Sequence, residues 1–195
     1  MNDTLPKDEL VMQEIVAAAK KLFAKHGLKK TTMEDIAQAV GKGKSTIYYY
    51  YPGKNELFEA VIDEEMKNLI RVTRQEVNRA TTAKAKLKAY LNARLSAVRN
   101  YHNLSKVVYD SILDHMCAIT RIKQQHDETQ INLVKEIIIG GIQAGEFKAL
   151  HEEEIVMFGY LIVASFRGLE QSLSIPPAAY QFDALVDIIV EGIGQ

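Results

Sequence analysis

Apolar residues recur at every third or fourth position along almost the whole chain, and no segment alternates apolar and polar residues as a half-buried strand does. This spacing places apolar side chains on one face of an α-helix. Glycine and proline are sparse, so the helices can be long. The sequence therefore predicts an all-α protein of about nine helices, in a chain long enough to bury one or two cores.

Composition restricts where such a chain can work. One cysteine, Cys117, excludes a disulfide within the chain and favours a reducing compartment, with a buried thiol as the default. The N-terminus lacks the basic start and apolar run of a signal peptide. The longest apolar stretch, residues 155–166, is much shorter than the ~20 residues of a membrane helix. We expect a soluble, cytoplasmic protein with no membrane partner.

Three helices are predicted near the N-terminus. In the first helix, Gly27 follows the last turn as a C-terminal glycine does. One face of this helix is formed by Ile15, Ala18, Ala19, Leu22, Phe23 and His26. Thr32, followed by two acidic residues, is a capping signature for a short second helix that stops at Gly41. A third short helix must end before Pro52, because proline disfavours helical angles in the preceding residue. This succession is typical of a helix-turn-helix unit.

The segment GKGKSTIYYYYPGK, residues 41–54, suggests contact with phosphate. Gly43-Lys44-Ser45 resembles the end of a nucleotide-binding P-loop, which also needs a glycine five residues before Gly43 and a preceding buried strand. The required glycine position is occupied by Gln38, inside a predicted amphipathic helix. The P-loop interpretation is therefore rejected, and the phosphates of DNA remain.

The charge of this segment fits contact with DNA, although charge alone does not distinguish it from an ordinary solvated lysine face. From residue 20 to residue 54 the chain has eight lysines and two acidic residues, a local net charge of +6, although the whole chain carries −1. A local basic patch sets the electrostatic footprint of a protein even when the molecule is nearly neutral. We predict that this segment faces the DNA backbone.

Each residue type in and just after the third helix fits a role in a DNA-binding helix. The N-terminal end of a recognition helix enters the major groove, where lysine, serine and threonine side chains can meet base edges and phosphates. Ile47 and Tyr51 are predicted to face the core, and Tyr49 and Tyr50 to be exposed. Tyrosine hydroxyls and Lys54 are placed to reach phosphate oxygens. A tyrosine-rich turn that only packs would explain any single ring, but it would not explain the whole cluster with its lysines.

The segment from about Val11 to Phe58 resembles the tetracycline-repressor (TetR) family of bacterial transcriptional regulators. The resemblance rests on Phe23-Ala-Lys-His-Gly27, Thr31-Thr32-Met33-Glu34-Asp35-Ile36-Ala37 and Thr46-Ile47-Tyr48-Tyr49-Tyr50-Tyr51-Pro52-Gly53-Lys54. Lys42-Gly43 departs from the family pattern, which has an apolar residue and a serine there, and Ser45 stands where glycine is common. By similarity, the positions that contact DNA are Thr32, Lys44, Ser45, Thr46, Tyr48, Tyr49, Tyr50 and Lys54.

The rest of the chain is predicted to be a larger helical body. A long fourth helix runs from about Asn55 to Thr81, and further helices are expected at 84–101, 104–115, 118–143, 153–173 and 178–193. We predict a DNA-binding domain at residues 1–54 and a ligand-binding and dimerisation domain at residues 55–195.

The last two predicted helices carry apolar stripes wider than one neighbouring helix can cover. The pattern fits either the core of one domain or a surface that meets a second copy. The TetR resemblance implies the second, a four-helix homodimer interface. The residues predicted there are Phe158, Ile162, Ser165, Leu169, Leu185 and Ile189.

The family resemblance also implies a cavity for a small-molecule effector between the fourth helix and the dimer helices. The middle helices offer mainly apolar wall residues with a few polar groups, as small-molecule pockets do, although each fits a plain core equally well. If Arg94 is buried, its positive charge requires an anionic partner, either from the protein or from a ligand. The predicted wall residues are Arg94, Val98, Tyr109, Leu113, Met116, Ile137, Ile138 and Phe166.

Enzymatic function is not expected. The five histidines have no metal-ligand spacing, and no HExxH, CxxC or GxSxG motif is present. We therefore expect no cofactor, no metal and no catalytic residue. The favoured function is a ligand-responsive repressor that binds a pseudo-palindromic DNA operator as a homodimer. The alternatives are a regulator controlled by a protein partner and a helical ligand-binding or assembly protein without small-molecule induction.

Overall fold

The computed structural model describes residues 7–97, 115–171 and 182–194. Nearly all of them are helical, which confirms the all-α prediction, and the β-type pairing in these ranges is one isolated bridge between Phe147 and Gly194. In chain order the helices are α1 (Lys7–His26), α2 (Met33–Val40), α3 (Lys44–Tyr50), α4 (Lys54–Arg79), α5 (83–97), α6 (Met116–Gln125), α7 (Asp127–Gln143), α8 (Glu152–Gln171) and α9 (Phe182–Ile193).

Two local signals bound α2. The Thr32 hydroxyl accepts the backbone N–H of Asp35 at 3.1 Å, and the Asp35 carboxylate accepts the N–H of Thr32 at 2.8 Å. This reciprocal capping box satisfies donors that a helix start leaves open. Gly41 ends α2 at φ 68°, in the left-handed region that glycine adopts without strain. The two caps set where the chain enters and leaves α2, and the predicted helix-turn-helix is present.

Helices α1 to α3 and the first half of α4 enclose one apolar core. Phe23 and Phe58 meet edge to face, with ring centroids 5.9 Å apart, and Ile119 of α6 joins the same cluster. The seven-residue α3 is too short to be stable by itself and depends on burying Ile47 in this core. These elements belong to a compact unit of residues 1–66 and 104–123.

A second compact unit comprises residues 67–103 and 124–195. Its core is built from α5, α7, α8 and α9, with the end of α4. The largest fully buried side chains in it are Leu87, Tyr90, Leu91, Val134, Ile138, Phe147 and Val186. The units divide inside α4, after Met66, whereas the predicted domain boundary at residue 54 concerns the DNA-binding segment and stays a prediction.

The turn that follows α7 ties together two helices of the second unit. The Glu146 carboxylate accepts the backbone N–H groups of Ala83 and Lys84, both at 3.0 Å, and so caps the start of α5. These two bonds lower the pKa of Glu146. On the other side, the Lys148 N–H donates to the carbonyl of Ile193 at 3.0 Å, at the end of α9.

Phe147 lies in the same turn and packs against the backbone of α7. Its ring is fully buried, and a Cβ added to Gly141 would lie 2.0 Å from Cδ2 of that ring. A glycine at position 141 is therefore required by the close approach of Phe147, since no side chain fits between them.

The chain between α6 and α7 differs from the prediction. A single helix was expected over 118–143, but a one-residue turn at His126 separates Gln125 from Asp127. Neither glycine nor proline marks the break; the Asp127 carboxylate instead forms an ion pair with Arg167 of α8. The helix predicted at 104–115 falls almost wholly outside the described residues. Among the described helices, none has the length and apolar composition needed to cross a membrane.

Candidate functional site

The outer face of α3 carries polar and aromatic side chains around a buried anchor. Ile47 is fully buried and Tyr51 is buried, as predicted, so both hold α3 against α1 and α2. Lys44 and Ser45 at the start of α3 are exposed, and Tyr49 has 79% of its surface accessible. The exposed side chains thus include those suited to base edges and phosphates.

Lys44 is held by an acidic residue of α2. Its ammonium forms an ion pair with the Glu34 carboxylate and lies 5.6 Å from the centroid of the Tyr48 ring. The hydrogen bond between the two side chains lowers the pKa of Glu34 and raises the pKa of Lys44. Both side chains are more than half exposed, so the pair lies at the surface that would face DNA.

Two further contacts join the α3 region to acids of α1. The Tyr50 hydroxyl donates to the Asp8 carboxylate at 2.6 Å, and this bond raises the pKa of Tyr50 to about 12. Tyr50 is half-buried, not exposed as predicted, because the same bond and the Tyr49 ring hold it. Lys42, in the turn before α3, pairs with Glu14 at 3.2 Å. Sequence reasoning missed these acids because they lie far from α3 along the chain.

Lys54 and Thr32 have structural partners in the same unit. The Lys54 ammonium donates to the carbonyl oxygens of Lys29 at 3.2 Å and Thr31 at 3.0 Å, which pins the turn between α1 and α2. Thr32 is the N-cap of α2 and exposed. An ammonium has three donors, so Lys54 keeps capacity for one phosphate oxygen. Together with half-buried Thr46, these residues stay predicted DNA contacts.

The predicted pocket residues are divided between described and undescribed segments. Val98, Tyr109 and Leu113 lie outside the described residues, as does the side chain of Met116. Ile137, Ile138 and Phe166 are buried in the core of the second unit.

Arg94 is buried in that core with 2% of its surface accessible, and its guanidinium carbon lies 5.3 Å from the centroid of the Phe166 ring. Thr73 of α4 is also buried, and its hydroxyl has no hydrogen-bond partner within the described ranges. A buried polar group of this kind calls for a ligand or a water as its partner.

The predicted dimer residues lie on different faces of α8 and α9. Ile162 is buried, and Phe158, Leu169 and Ile189 are partly buried against the core of their own unit. Ser165 and Leu185 are exposed, although the Ser165 hydroxyl donates to the Leu161 carbonyl in its own helix. As interface residues, all six stay predictions.

A second apolar face of α8 and α9 is exposed. Leu161 and Ile188 have 55% and 66% of their surfaces accessible. We call this set the exposed stripe; it consists of Met157, Tyr160, Leu161, Leu185 and Ile188. Large apolar side chains grouped in this way are typical of surfaces that contact another molecule.

Within residues 7–97, 115–171 and 182–194, no group of three or more histidine, cysteine or acidic side chains could hold a metal ion. Cys117 is exposed near the start of α6, so the predicted buried thiol is wrong: its neighbour Ile119 takes the core position instead.

Residues 15–61 match the family model for bacterial regulatory proteins of the tetR family. The fatty acid metabolism regulator protein of Bacillus subtilis is 25% identical over 135 residues, which cover 69% of this chain and 70% of the relative. A crystal structure of a transcriptional regulator from Cytophaga hutchinsonii has a TM-score of 0.72 and 27% identity, covering 94% of this chain and 98% of that one.

The fold is shared more widely. The transcriptional regulator FadR from Bacillus subtilis, solved in complex with stearoyl-CoA, superimposes with a TM-score of 0.60 at 22% identity, covering 92% of this chain and 95% of that one. The capped α2, the short α3 and the family match over the same residues agree in position. The chain belongs to the TetR family of bacterial transcriptional regulators.

Proposed function

We propose that this protein is a ligand-responsive repressor that binds a DNA operator as a homodimer and is released by a lipophilic anion. The proposal assigns it no enzymatic reaction and places it in the cytoplasm, with the chromosome. The observation that carries it is the outer face of α3, where Lys44, Ser45 and Tyr49 are exposed around a buried Ile47.

On DNA, α3 would place its N-terminal end in the major groove. Lys44, Ser45 and Thr46 would meet base edges there, because hydroxyl and ammonium groups match the acceptors of guanine and thymine. Tyr48, Tyr49 and Lys54 would donate to phosphates and so set the register. A twofold-symmetric dimer would present two copies of α3 about 34 Å apart, one DNA turn.

The experiment is selection of binding sites from random duplex DNA, followed by titration of a selected site and a scrambled duplex at several salt concentrations. We expect a pseudo-palindromic site whose affinity falls steeply with salt, since phosphate contacts release counterions. Absence of binding to any duplex at low salt would refute the repressor and favour a helical ligand-binding protein.

Lys54→Ala is predicted to weaken binding to every duplex and to flatten the slope of log affinity against log salt by about one, because one phosphate contact is lost. It should also lower the melting temperature, since the carbonyls of Lys29 and Thr31 lose their donor. Lys54→Arg, which keeps the charge, is the control for the slope. A lower melting temperature with an unchanged slope would leave Lys54 with a structural role and no DNA contact.

The dimer would form through the exposed stripe on α8 and α9. Five large apolar side chains there are accessible in the single chain, and a twofold axis lets one patch cover its own copy. The family relationship also supports α8 and α9 as the helices that form the dimer interface.

The effector is proposed to be a long acyl chain with an anionic group, such as a fatty acyl-CoA. Arg94 supplies a buried cation inside an apolar core, and the Thr73 hydroxyl is a buried donor that a polar atom of a ligand could meet. Among relatives, one is named as a fatty acid metabolism regulator and one structure contains stearoyl-CoA. These names favour an acyl ligand over other lipophilic anions.

Titration of stearoyl-CoA with and without operator tests this effector. Linkage requires a ligand that weakens DNA binding to bind the DNA-free protein more tightly by the same factor, typically ~5–150-fold. Equal affinity in both states would exclude induction even if the compound binds.

Arg94→Met is predicted to keep operator binding and to weaken stearoyl-CoA about 10–100-fold, because one charged hydrogen bond contributes ~1.5–3 kcal/mol. Methionine fills a similar apolar volume, so the core should stay folded. The control is Arg74→Met, since Arg74 is a largely exposed arginine of α4 that pairs with Glu136 at 3.6 Å. Equal stearoyl-CoA affinity in wild type and Arg94→Met, measured by calorimetry, would remove Arg94 from the ligand site.

A further inference from the structure

The donors around α3 are engaged by acids of the same unit. Lys44 is paired with Glu34, Lys42 with Glu14 at 3.2 Å, and the Tyr50 hydroxyl with Asp8 at 2.6 Å. Each acid comes from α1 or α2, so the fold brings negative charge onto a segment that is strongly basic in sequence. A surface evolved only for phosphate affinity would not carry these acids, because each one repels the DNA backbone.

Among these acids, Glu34 engages the residue closest to the predicted major-groove contacts. It lies in the first turn of α2, and Lys44 is the first residue of α3. Both side chains are more than half exposed, so neither the pair nor its separation requires any core side chain to move. An exposed ion pair changes an equilibrium constant by about fivefold at most. DNA can therefore break this pair at small cost.

The two modes of DNA binding would treat the pair differently. Lysine donating to the O6 and N7 atoms of guanine gives about 5–150-fold discrimination against a wrong base, which exceeds the cost of separating Lys44 from Glu34. A single phosphate gains mainly from counterion release, and that gain shrinks as salt rises. Contact with an operator base can thus compensate for breaking the Lys44–Glu34 pair, whereas contact with a non-specific phosphate compensates for it only weakly.

We propose that Glu34 tunes the affinity and specificity of the DNA interface: it holds Lys44 in the free protein, and the operator must break this pair before Lys44 can reach its base edges. The inference rests on the proposed DNA-binding role of α3. Its consequence is that Glu34 lowers operator affinity by the full cost of the pair and non-specific affinity by less, because a non-specific complex can leave Lys44 on Glu34. Glu34 therefore lowers the ratio between the two affinities.

Glu34→Gln tests the proposal, because glutamine keeps the size of the side chain and removes the charge. Affinities for a selected operator and for a scrambled duplex of the same length would be measured over a range of salt. The operator should bind about two- to fivefold more tightly to Glu34→Gln than to wild type, because it no longer has to break the Lys44–Glu34 pair. Affinity for the scrambled duplex should rise less, with a salt slope steeper by up to about one for the released lysine, so the specificity ratio rises.

Glu65→Gln is the matched control, because it removes the same charge from another exposed lysine pair of the same unit, Lys20–Glu65. It should leave both the slope and the ratio unchanged. Melting temperatures of both variants check that the fold is intact.

A Lys44→Met background separates the mechanism from simple repulsion. If Glu34 acts through Lys44, adding Glu34→Gln to Lys44→Met leaves the affinities for the operator and for the scrambled duplex unchanged. A gain that persists without Lys44, or a wild-type specificity ratio in Glu34→Gln, would overturn the inference. A changed base preference in selected sites would also overturn it, since Glu34 would then read a base directly. If the wild-type protein binds no duplex, the proposed function itself fails. If the wild-type protein binds DNA, Lys44→Met weakens that binding and Glu34→Gln has wild-type affinities, only the inference about Glu34 fails.

Discussion

Leu161→Glu is expected to give a folded monomer that has lost its operator affinity. Leu161 is more than half exposed in the single chain, so a glutamate there is solvated and the protomer keeps its core. In the proposed dimer the same side chain is covered, and an unpaired buried charge costs about 3–5 kcal/mol. Twofold symmetry applies this cost twice, so dimerisation should weaken by several orders of magnitude. Ile188→Glu on α9 should act in the same way.

Sedimentation and operator titration measure the two parts of this prediction. The control is Ile139→Glu on α7, a comparable exposed apolar residue outside the exposed stripe, with 40% of its surface accessible. It should remain dimeric and bind operator like wild type. A Leu161→Glu dimer with normal operator affinity would move the interface away from α8. Leu169→Glu and Ile189→Glu are poorer tests, because both side chains pack against the core of their own unit and their loss would disturb folding.

Gly141→Ala is predicted to destabilise the second unit strongly, although it adds one methyl group. The new Cβ would lie 2.0 Å from the Phe147 ring and 2.8 Å from Cβ of Ala83. Phe147 is fully buried and its neighbours Glu146 and Lys148 are bonded to α5 and α9, so the ring has little room to retreat. Overpacking of a core costs ~1–3 kcal/mol, and more where the backbone is fixed. The melting temperature should fall by about 2–4 °C for each kcal/mol.

Gly140→Ala is the control beside it on the same helix. No atom lies within 4 Å of a Cβ at that exposed position. Replacing a helical glycine with alanine then stabilises by about 0.4–1 kcal/mol. The midpoint of denaturant or thermal unfolding should therefore fall for Gly141→Ala and rise for Gly140→Ala. Equal effects would mean that the Phe147 ring can be displaced without cost.

The first three helices could be predicted from local sequence because their limits depend on local chemistry. The Thr32 capping box and the left-handed Gly41 involve residues within a few positions of each other, and both are present as expected. Burial of Ile47 and Tyr51 followed from helical spacing. Local signals of this kind are informative when propensity and tertiary packing agree.

The charge environment of α3 could not be predicted in this way. The basic segment of residues 20–54 contains few acidic residues in the sequence. In the folded chain, however, Asp8 and Glu14 of α1 contact Tyr50 and Lys42. These pairs join residues 42 and 28 positions apart, and no local pattern encodes them.

The face of α8 that packs on its own unit could not be predicted either, for a different reason. That helix is apolar on two opposite faces, so periodicity gives the spacing of a stripe but cannot say which face meets the protomer's own core. Ile162 proved to be buried and Leu161 exposed. The break at His126 also escaped prediction, because no glycine or proline marks it.

The attachment of α9 at its C-terminal end affects how this helix can move. Lys148 holds its final carbonyl groups through the bond to Ile193 and a second from its ammonium to Gly192 at 3.2 Å, and Gly194 is buried against Phe147 by the isolated bridge. A helix secured at one end opens from the other. Thermal fraying of α9 should therefore run from Phe182 towards Ile193. Leu185, near the start of the helix, can then change its position more readily than the residues of the last turn.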